Sequence, residues 1–225
     1  MASEKISKVI SSDNSPTFFS EEFGECYHSK SGAIEESFEK FAKISNLSSV
    51  EKKIVSVLDV CFGVGYNCLA ALVELMKNPN VEDIRIVCLE LDEDIISKIS
   101  DIVLDYPEYD LVKDLAMKKK LLLKDYGGKR IKLDLLVDDA RNSVKHLPRN
   151  YFDFIFHDPF SPKVCPVLWT EEFFSDVHSI SKKNAVLTTY SCARLVRDNL
   201  KSAGFSISDG IKLHRRGPST IAIKQ

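Results

Sequence analysis

The stretch Ile54-Val-Ser-Val-Leu-Asp-Val-Cys-Phe-Gly-Val-Gly-Tyr-Asn67 decides the fold: a β-branched apolar run passes straight into a glycine turn and then into helical spacing. Val55, Val57, Leu58 and Val60 suit a central parallel strand covered on both faces. Gly63 and Gly65 let the backbone turn tightly, and let a ligand approach where a Cβ would collide. From Asn67 to Met76 the residues Leu69, Ala70, Leu72, Val73 and Met76 keep one helical face, so the helix N-terminus points at whatever rests on the glycines.

Working outward, the same strand-then-helix alternation repeats. Residues 84–90 read as a second strand ending in Glu90, with a helix over 95–104. Residues 111–124 read as a helix carrying the run Lys118-Lys-Lys120, and Tyr126-Gly-Gly-Lys129 as a turn. A third strand over 130–137 ends in Asp138-Asp139 before a short helix to Leu147, and a fourth over 151–157 delivers Asp158-Pro-Phe-Ser-Pro162. Helix 170–180, strand 185–190 and helix 193–203 follow, the last stopped by Gly204. Segments 205–213 and 219–224 form an antiparallel hairpin around His214-Arg-Arg-Gly-Pro218. Upstream, the aromatics of 17–27 suit a short hairpin, and Ile34, Phe38 and Phe41 mark a helix opening after Gly32, with Glu35 and Glu36 matching its dipole. The whole of 1–225 is one domain, with 1–50 an N-terminal extension or lid and 51–225 the Rossmann-like core.

Composition bounds the function. A chain of 225 residues with 44% hydrophobic and 28% charged residues can bury a full α/β core. A net charge of −2 carries no overall nucleic-acid signature, so a polyanion has to meet a local basic patch. There is no bilayer-length apolar run and no signal-peptide core, which gives a cytoplasmic expectation. The six cysteines include no C-x-x-C pair and read as reduced thiols, with no metal site. Nothing sets the oligomeric state.

Ligands of open α/β sheets sit beyond the carboxyl ends of the strands. Here four successive strands end in Gly63-Val-Gly65, Glu90, Asp138-Asp139 and Asp158. The absence of a third glycine argues against a dinucleotide pyrophosphate. S-adenosylmethionine needs no such glycine, but does need a carboxylate for its ribose hydroxyls, which Glu90 supplies, and an acceptor for its adenine amino group, the job of Asp139 with Ala140 packed on the purine. Helix N-capping is the competing role for both acids.

Several stretches resemble the methyltransferase module of MnmC-type tRNA-modifying proteins. They are Phe62-Gly-Val-Gly-Tyr-Asn67, Tyr27-His-Ser-Lys-Ser-Gly-Ala-Ile-Glu-Glu36, Asp153-Phe-Ile-Phe-His-Asp-Pro-Phe-Ser-Pro-Lys163 with Leu168-Trp-Thr-Glu-Glu-Phe173, and Thr188-Thr-Tyr-Ser191 followed by Ala203-Gly-Phe205. The likeness runs from about Phe18 to the end. It implies a class I S-adenosylmethionine-dependent methyltransferase with a mostly parallel seven-stranded sheet. It also implies methyl transfer to the primary amine of 5-aminomethyl(-2-thio)uridine at the tRNA wobble position, by a stand-alone module without the FAD oxidase domain. On this resemblance Gly63, Gly65, Asn67, Tyr27 and Glu35 join Glu90, Asp139, Ala140 and Asp158 around the cofactor. The family's Asp-Gly-Phe-Ala-Pro is Asp-Pro-Phe-Ser-Pro here.

Methyl transfer to an amine needs an aligned lone pair and a proton acceptor, and Asp158 is the catalytic candidate. Phe160 suits contact with a base of the single-stranded anticodon loop, Trp169 suits packing, and His157 suits a satisfied histidine near the core. Arg215 and Arg216, with Lys163, Arg194 and Arg197 on the same rim, are the first candidates for tRNA phosphate contacts; Lys118 to Lys120 and Lys124 are a second, unless they are simply a solvated helix face. Rival readings are an aminopropyltransferase-like or other small-amine enzyme, an exocyclic-amine nucleic-acid methyltransferase, and a non-catalytic binding partner.

Overall fold

The structure is a computed structural model that describes residues 6–214 and 217–225. Eleven strands, β1 to β11, run in chain order over Ile6–Ile10, Pro16–Ser20, Glu25–Cys26, Ile54–Val60, Asp83–Glu90, Lys120–Tyr126, Lys129–Val137, Phe152–His157, Ser181–Thr189, Phe205–Asp209 and Thr220–Lys224. Seven α-helices, α1 to α7, cover Ala33–Ser37, Tyr66–Lys77, Glu93–Ser97, Tyr109–Lys118, Ala140–His146, Glu171–Ile180 and Arg194–Ser202. Strands β1-β2-β3 form a small antiparallel sheet, and the other eight form the central sheet in the order β10-β11-β9-β8-β4-β5-β7-β6. Pairings among β9, β8, β4, β5 and β7 are parallel.

Strand β4 is central for the reason its sequence suggests. Every residue from Val55 to Val60 is buried, Val57 joining the core under α2 and α4 and Leu58 the core under α5, α6 and α7. Alternate residues of one strand thus serve two helical layers. The C-terminal hairpin is present as β10 and β11, and β11 pairs antiparallel with β9.

The sheet has eight strands where seven were expected, because residues 120–126 are a strand and not the end of a helix. Helix α4 stops at Lys118, Lys119 is left-handed with φ 60°, and β6 then pairs antiparallel with β7. Gly127 and Gly128, at φ 57° and 83°, give the double positive turn that joins two strands but does not extend a helix.

The extension divides in two. Phe38, Phe41, Ala42 and Leu47 lie in the same core as β4 and α2, with Phe41 edge-on to Phe156 at 5.7 Å. The small sheet instead overhangs the strand ends and is tied down by hydrogen bonds from Tyr66 Oη to the Pro16 carbonyl, from Ser161 to Glu25, and from Tyr27 to Asp92.

Candidate active site

The glycine turn is built by packing as well as by flexibility. Gly65 has φ 81°, and a Cβ there would meet Val112 Cγ1 at 2.4 Å and the Phe62 ring at 2.9 Å. Tyr109 Oη donates to the Val64 carbonyl at 2.9 Å, fastening α4 to the turn. Gly65 therefore serves the turn, while Gly63, at φ 55°, faces a cleft.

That cleft is lined by Gly63, Leu89, Glu90, Leu91, Asp92, Asp139, Ala140 and Asp158, with Phe23 and Tyr27 from the small sheet as a roof. Glu90 Oε2 accepts from Gly63 N–H at 2.8 Å, and Oε1 accepts from Leu91 N–H at 2.8 Å and Asp92 N–H at 2.9 Å. Helix α3 is capped by Asp92, so Glu90 is not the N-cap. Burial pushes its carboxyl up, and those three backbone N–H groups pull it partly back.

Asp139 does cap α5, accepting from Arg141 N–H at 2.8 Å, and the Arg141 guanidinium reaches both its oxygens, with Nη2 2.6 Å from Oδ2. That guanidinium holds the Asp139 carboxyl below its ordinary range. Capping and lining of the cleft coexist in this one residue.

A second, polar chamber adjoins the first and is lined by Glu25, Cys26, Ser29, Lys30, Glu36, Pro159, Ser161 and Tyr190. Tyr27, His28, Asp158 and Phe160 line both chambers and so form the wall between them. Asp158 Oδ2 accepts from Asn67 Nδ2 at 2.9 Å. Asn67 is thus placed behind Asp158, as its support, and does not line the cleft. Tyr27 Oη donates to Asp92 Oδ2 at 2.6 Å, and burial, followed by this bond to Asp92, holds the phenol protonated. Phe160 stacks on Phe23 at 4.6 Å and meets Tyr27 at 4.9 Å. Trp169 is packing, as expected: it is buried and donates from Nε1 to the Phe160 carbonyl at 2.9 Å.

Glu35 lines neither chamber. Its Oε2 meets His214 Nε2 at 2.9 Å and it lines a different groove beside Asp13, Phe38 and Lys43, whereas Glu36, one position on and buried, reaches the second chamber. Neighbours on a helix point about 100° apart, which separates the two acids. Lys163 is exposed on the loop after Asp158 but lines neither chamber, and Arg215 and Arg216 lie outside the described residues. Arg197 is committed to the hairpin, with Nη1 2.7 Å from Asp209 Oδ1 and Nε donating to Thr220 Oγ1. Lys120 and Lys124 sit on edge strand β6, four positions across the sheet from β8. His157 is fully buried against Trp169 and Phe174, and that burial pushes it down to about 3; its ring nitrogens have no full hydrogen bond, so it is a core histidine but not a satisfied one. Sequence reasoning missed Phe23, His28, Asp92 and Lys30, although His28 and Lys30 stand inside the Tyr27 to Glu36 motif.

Among the described residues no group of three or more His, Cys, Asp or Glu could hold a metal ion, and no helix is long and apolar enough to cross a membrane.

A family model described as S-adenosyl-L-methionine-dependent methyltransferase matches residues 108–225, and the chain belongs to that family. It is similar to an uncharacterized protein of Methanocaldococcus jannaschii, 33% identical over 219 residues, covering 96% of this chain and 59% of that one. It is also similar to the tRNA 5-methylaminomethyl-2-thiouridine biosynthesis bifunctional protein MnmC of Psychrobacter cryohalolentis, 26% identical over 216 residues, covering 83% of this chain and 31% of that one. The chain thus spans between about a third and three fifths of these relatives. Among solved structures, MnmC2 from Aquifex aeolicus superposes with a TM-score of 0.82 at 30% identity, covering 98% of this chain and 71% of that one. Spermidine synthase from Thermotoga maritima, at 16% identity and TM-score 0.63 over 97% of this chain and 68% of that one, shares the fold.

The residues present fit the cofactor of that family. Asp59 is fully buried under the cleft, neither carboxylate oxygen has a full hydrogen bond, and its carboxyl is pushed well up by burial and then by Asp158 and Glu90. Glu90 and Asp158, which line the cleft, supply the negative charge that suits a cationic sulfonium. Glu90, held at the mouth of the glycine turn, presents its oxygens where a ribose diol can donate to them.

Proposed function

We propose that this protein transfers one methyl group from S-adenosylmethionine to the primary amine of 5-aminomethyl(-2-thio)uridine at the wobble position of tRNA. The observation that carries the reading is the wall of Tyr27, His28, Asp158 and Phe160, shared by an apolar cofactor cleft and an acid-lined chamber. The role of the MnmC relative in tRNA 5-methylaminomethyl-2-thiouridine biosynthesis and the 30% identity to MnmC2 support the same acceptor.

When bound, the cofactor supplies an electrophilic methyl group. This chain then has three tasks. Glu90 and Ala140 hold the nucleoside end, with Asp139 capping its helix and facing the adenine. Asp158, braced by Asn67, accepts an N–H of the incoming amine and takes up its proton. Phe160 offers an aromatic face to the base once Phe23 has moved off it, since at 4.6 Å the two rings leave no room between them. Lys30 and Lys163 on the rim suit the phosphates of the anticodon loop, and the sequence offers Arg215 and Arg216, outside the described residues, for the same task. A tRNA substrate places the reaction in the cytoplasm.

A labelled-methyl assay offers tRNA, polyamines and protein side by side. Label in tRNA, with binding that weakens steeply as salt is added, is expected. Label in polyamines alone would replace the acceptor and keep the chemistry.

A further inference from the structure

His28 belongs to the wall, and the reaction as described leaves it without a task. Its ring lies over the glycine turn, where a Cβ on Gly63 would meet His28 Cε1 at 3.5 Å and Nε2 at 4.0 Å, and it tilts against Tyr66 with centroids 4.9 Å apart. Nδ1 is 3.2 Å from the hydroxyl of buried Thr17. With the proton on Nδ1 and donated to Thr17, Nε2 carries a lone pair, and no described residue hydrogen-bonds to it. Burial pushes the ring down to about 4, against the opposing pull of Glu36 and Asp13, so it is neutral near pH 7. A neutral ring can accept a hydrogen bond from an amine, whereas a cationic one would repel it.

We propose that His28 Nε2 and the Asp158 carboxylate form a two-acceptor clamp for a primary amine, and that this clamp limits the reaction to one methyl group. The inference rests on the reading that the acceptor is an amine. The substrate ammonium loses one proton, taken up by Asp158 and passed to solvent through the open second chamber. The neutral amine then has two N–H donors, one for each acceptor, and its lone pair is left facing the cofactor cleft. The nitrogen–carbon bond forms as the sulfur–methyl bond breaks, the electron pair stays on sulfur, and the positive charge passes to the product nitrogen. Once neutral, the secondary amine has a single N–H. It leaves one acceptor unpaired, which disfavours a second round by roughly tenfold or more.

The test uses the full chain and two anticodon stem-loop RNAs, one bearing 5-aminomethyluridine and one 5-methylaminomethyluridine. In fluorescence anisotropy without cofactor, at a pH high enough that both amines are largely neutral, the unaltered protein is expected to bind the primary amine about tenfold more tightly than the secondary one. His28→Phe should bind both alike, and His28→Asn, which restores an acceptor oxygen, should recover part of the preference. In exhaustive reactions read by nucleoside mass spectrometry, His28→Phe should add a dimethylated product. Calorimetry with S-adenosylhomocysteine checks that each variant keeps its folded cleft, and His28→Leu, which also lacks an acceptor, stands in if the Phe variant does not. Equal binding of the two RNAs by the unaltered protein, or a preference unchanged in a folded His28→Phe or His28→Leu variant, overturns the clamp. An unaltered protein that methylates neither RNA overturns the functional reading and the clamp with it, a result distinct from methylation without discrimination.

Discussion

Asn67 Nδ2 donates to Asp158 Oδ2 at 2.9 Å, joining the first turn of α2 to the loop after β8. One carboxylate oxygen is thereby fixed from behind, so the group that faces the acceptor chamber has a set orientation. Asn67→Ala should lower kcat roughly ten- to a hundredfold, the range for losing a hydrogen bond to a charged group. Affinity for S-adenosylhomocysteine should change little. Steady-state kinetics with calorimetry checks this; loss of cofactor affinity at unchanged kcat would return Asn67 to the cofactor.

Glu90 lines the first chamber alone, whereas Asp158 stands in the wall between the two. Glu90→Ala should cost cofactor affinity far more than turnover, and Asp158→Ala the reverse. Equal losses of both quantities in each variant would mean that the two roles are merged.

The raised carboxyls give the cofactor a pH dependence. Burial lifts both Asp59 and Glu90, so in the empty cleft they hold protons to higher pH than ordinary acids do. A sulfonium cation favours their ionised forms. Its binding should therefore release protons and weaken as pH falls through the range in which these groups protonate. Calorimetry in two buffers of different ionisation enthalpy reads the proton count, and proton uptake on binding would contradict the assignment.

Gly65→Ala tests the turn itself. The added Cβ meets Val112 and Phe62 at distances no Cβ tolerates, at a positive φ that L residues resist. A loss of about 1–3 kcal/mol or more is expected from overpacking and backbone strain together. Urea unfolding of the variant measures it; a loss below about 0.5 kcal/mol, the scatter of ordinary surface changes, would show that the turn can relax.

Much of this arrangement could be read in the chain alone, and the failures have physical causes. The β4 to α2 passage was legible because a β-branched run, two glycines and helical spacing agree with one another. Glu90, Ala140 and Asp158 were legible as strand ends. Strand β6 was not, since the leucines at 121, 122 and 123 satisfy a helical face as readily as an alternating strand, and only the pairing with β7 decides. Glu35 and Glu36 could not be told apart without knowing which face of α1 is buried. His28 was hidden because its significance lies in where two cavities meet, which depends on how the small sheet folds over the strand ends.

The most direct test of the central claim is nucleoside mass spectrometry of wobble uridines from a strain lacking this protein. The account predicts accumulation of the unmethylated 5-aminomethyl nucleoside, reversed by the unaltered chain and not by Asp158→Ala. Wobble uridines that remain fully methylated in the deletion strain would contradict it.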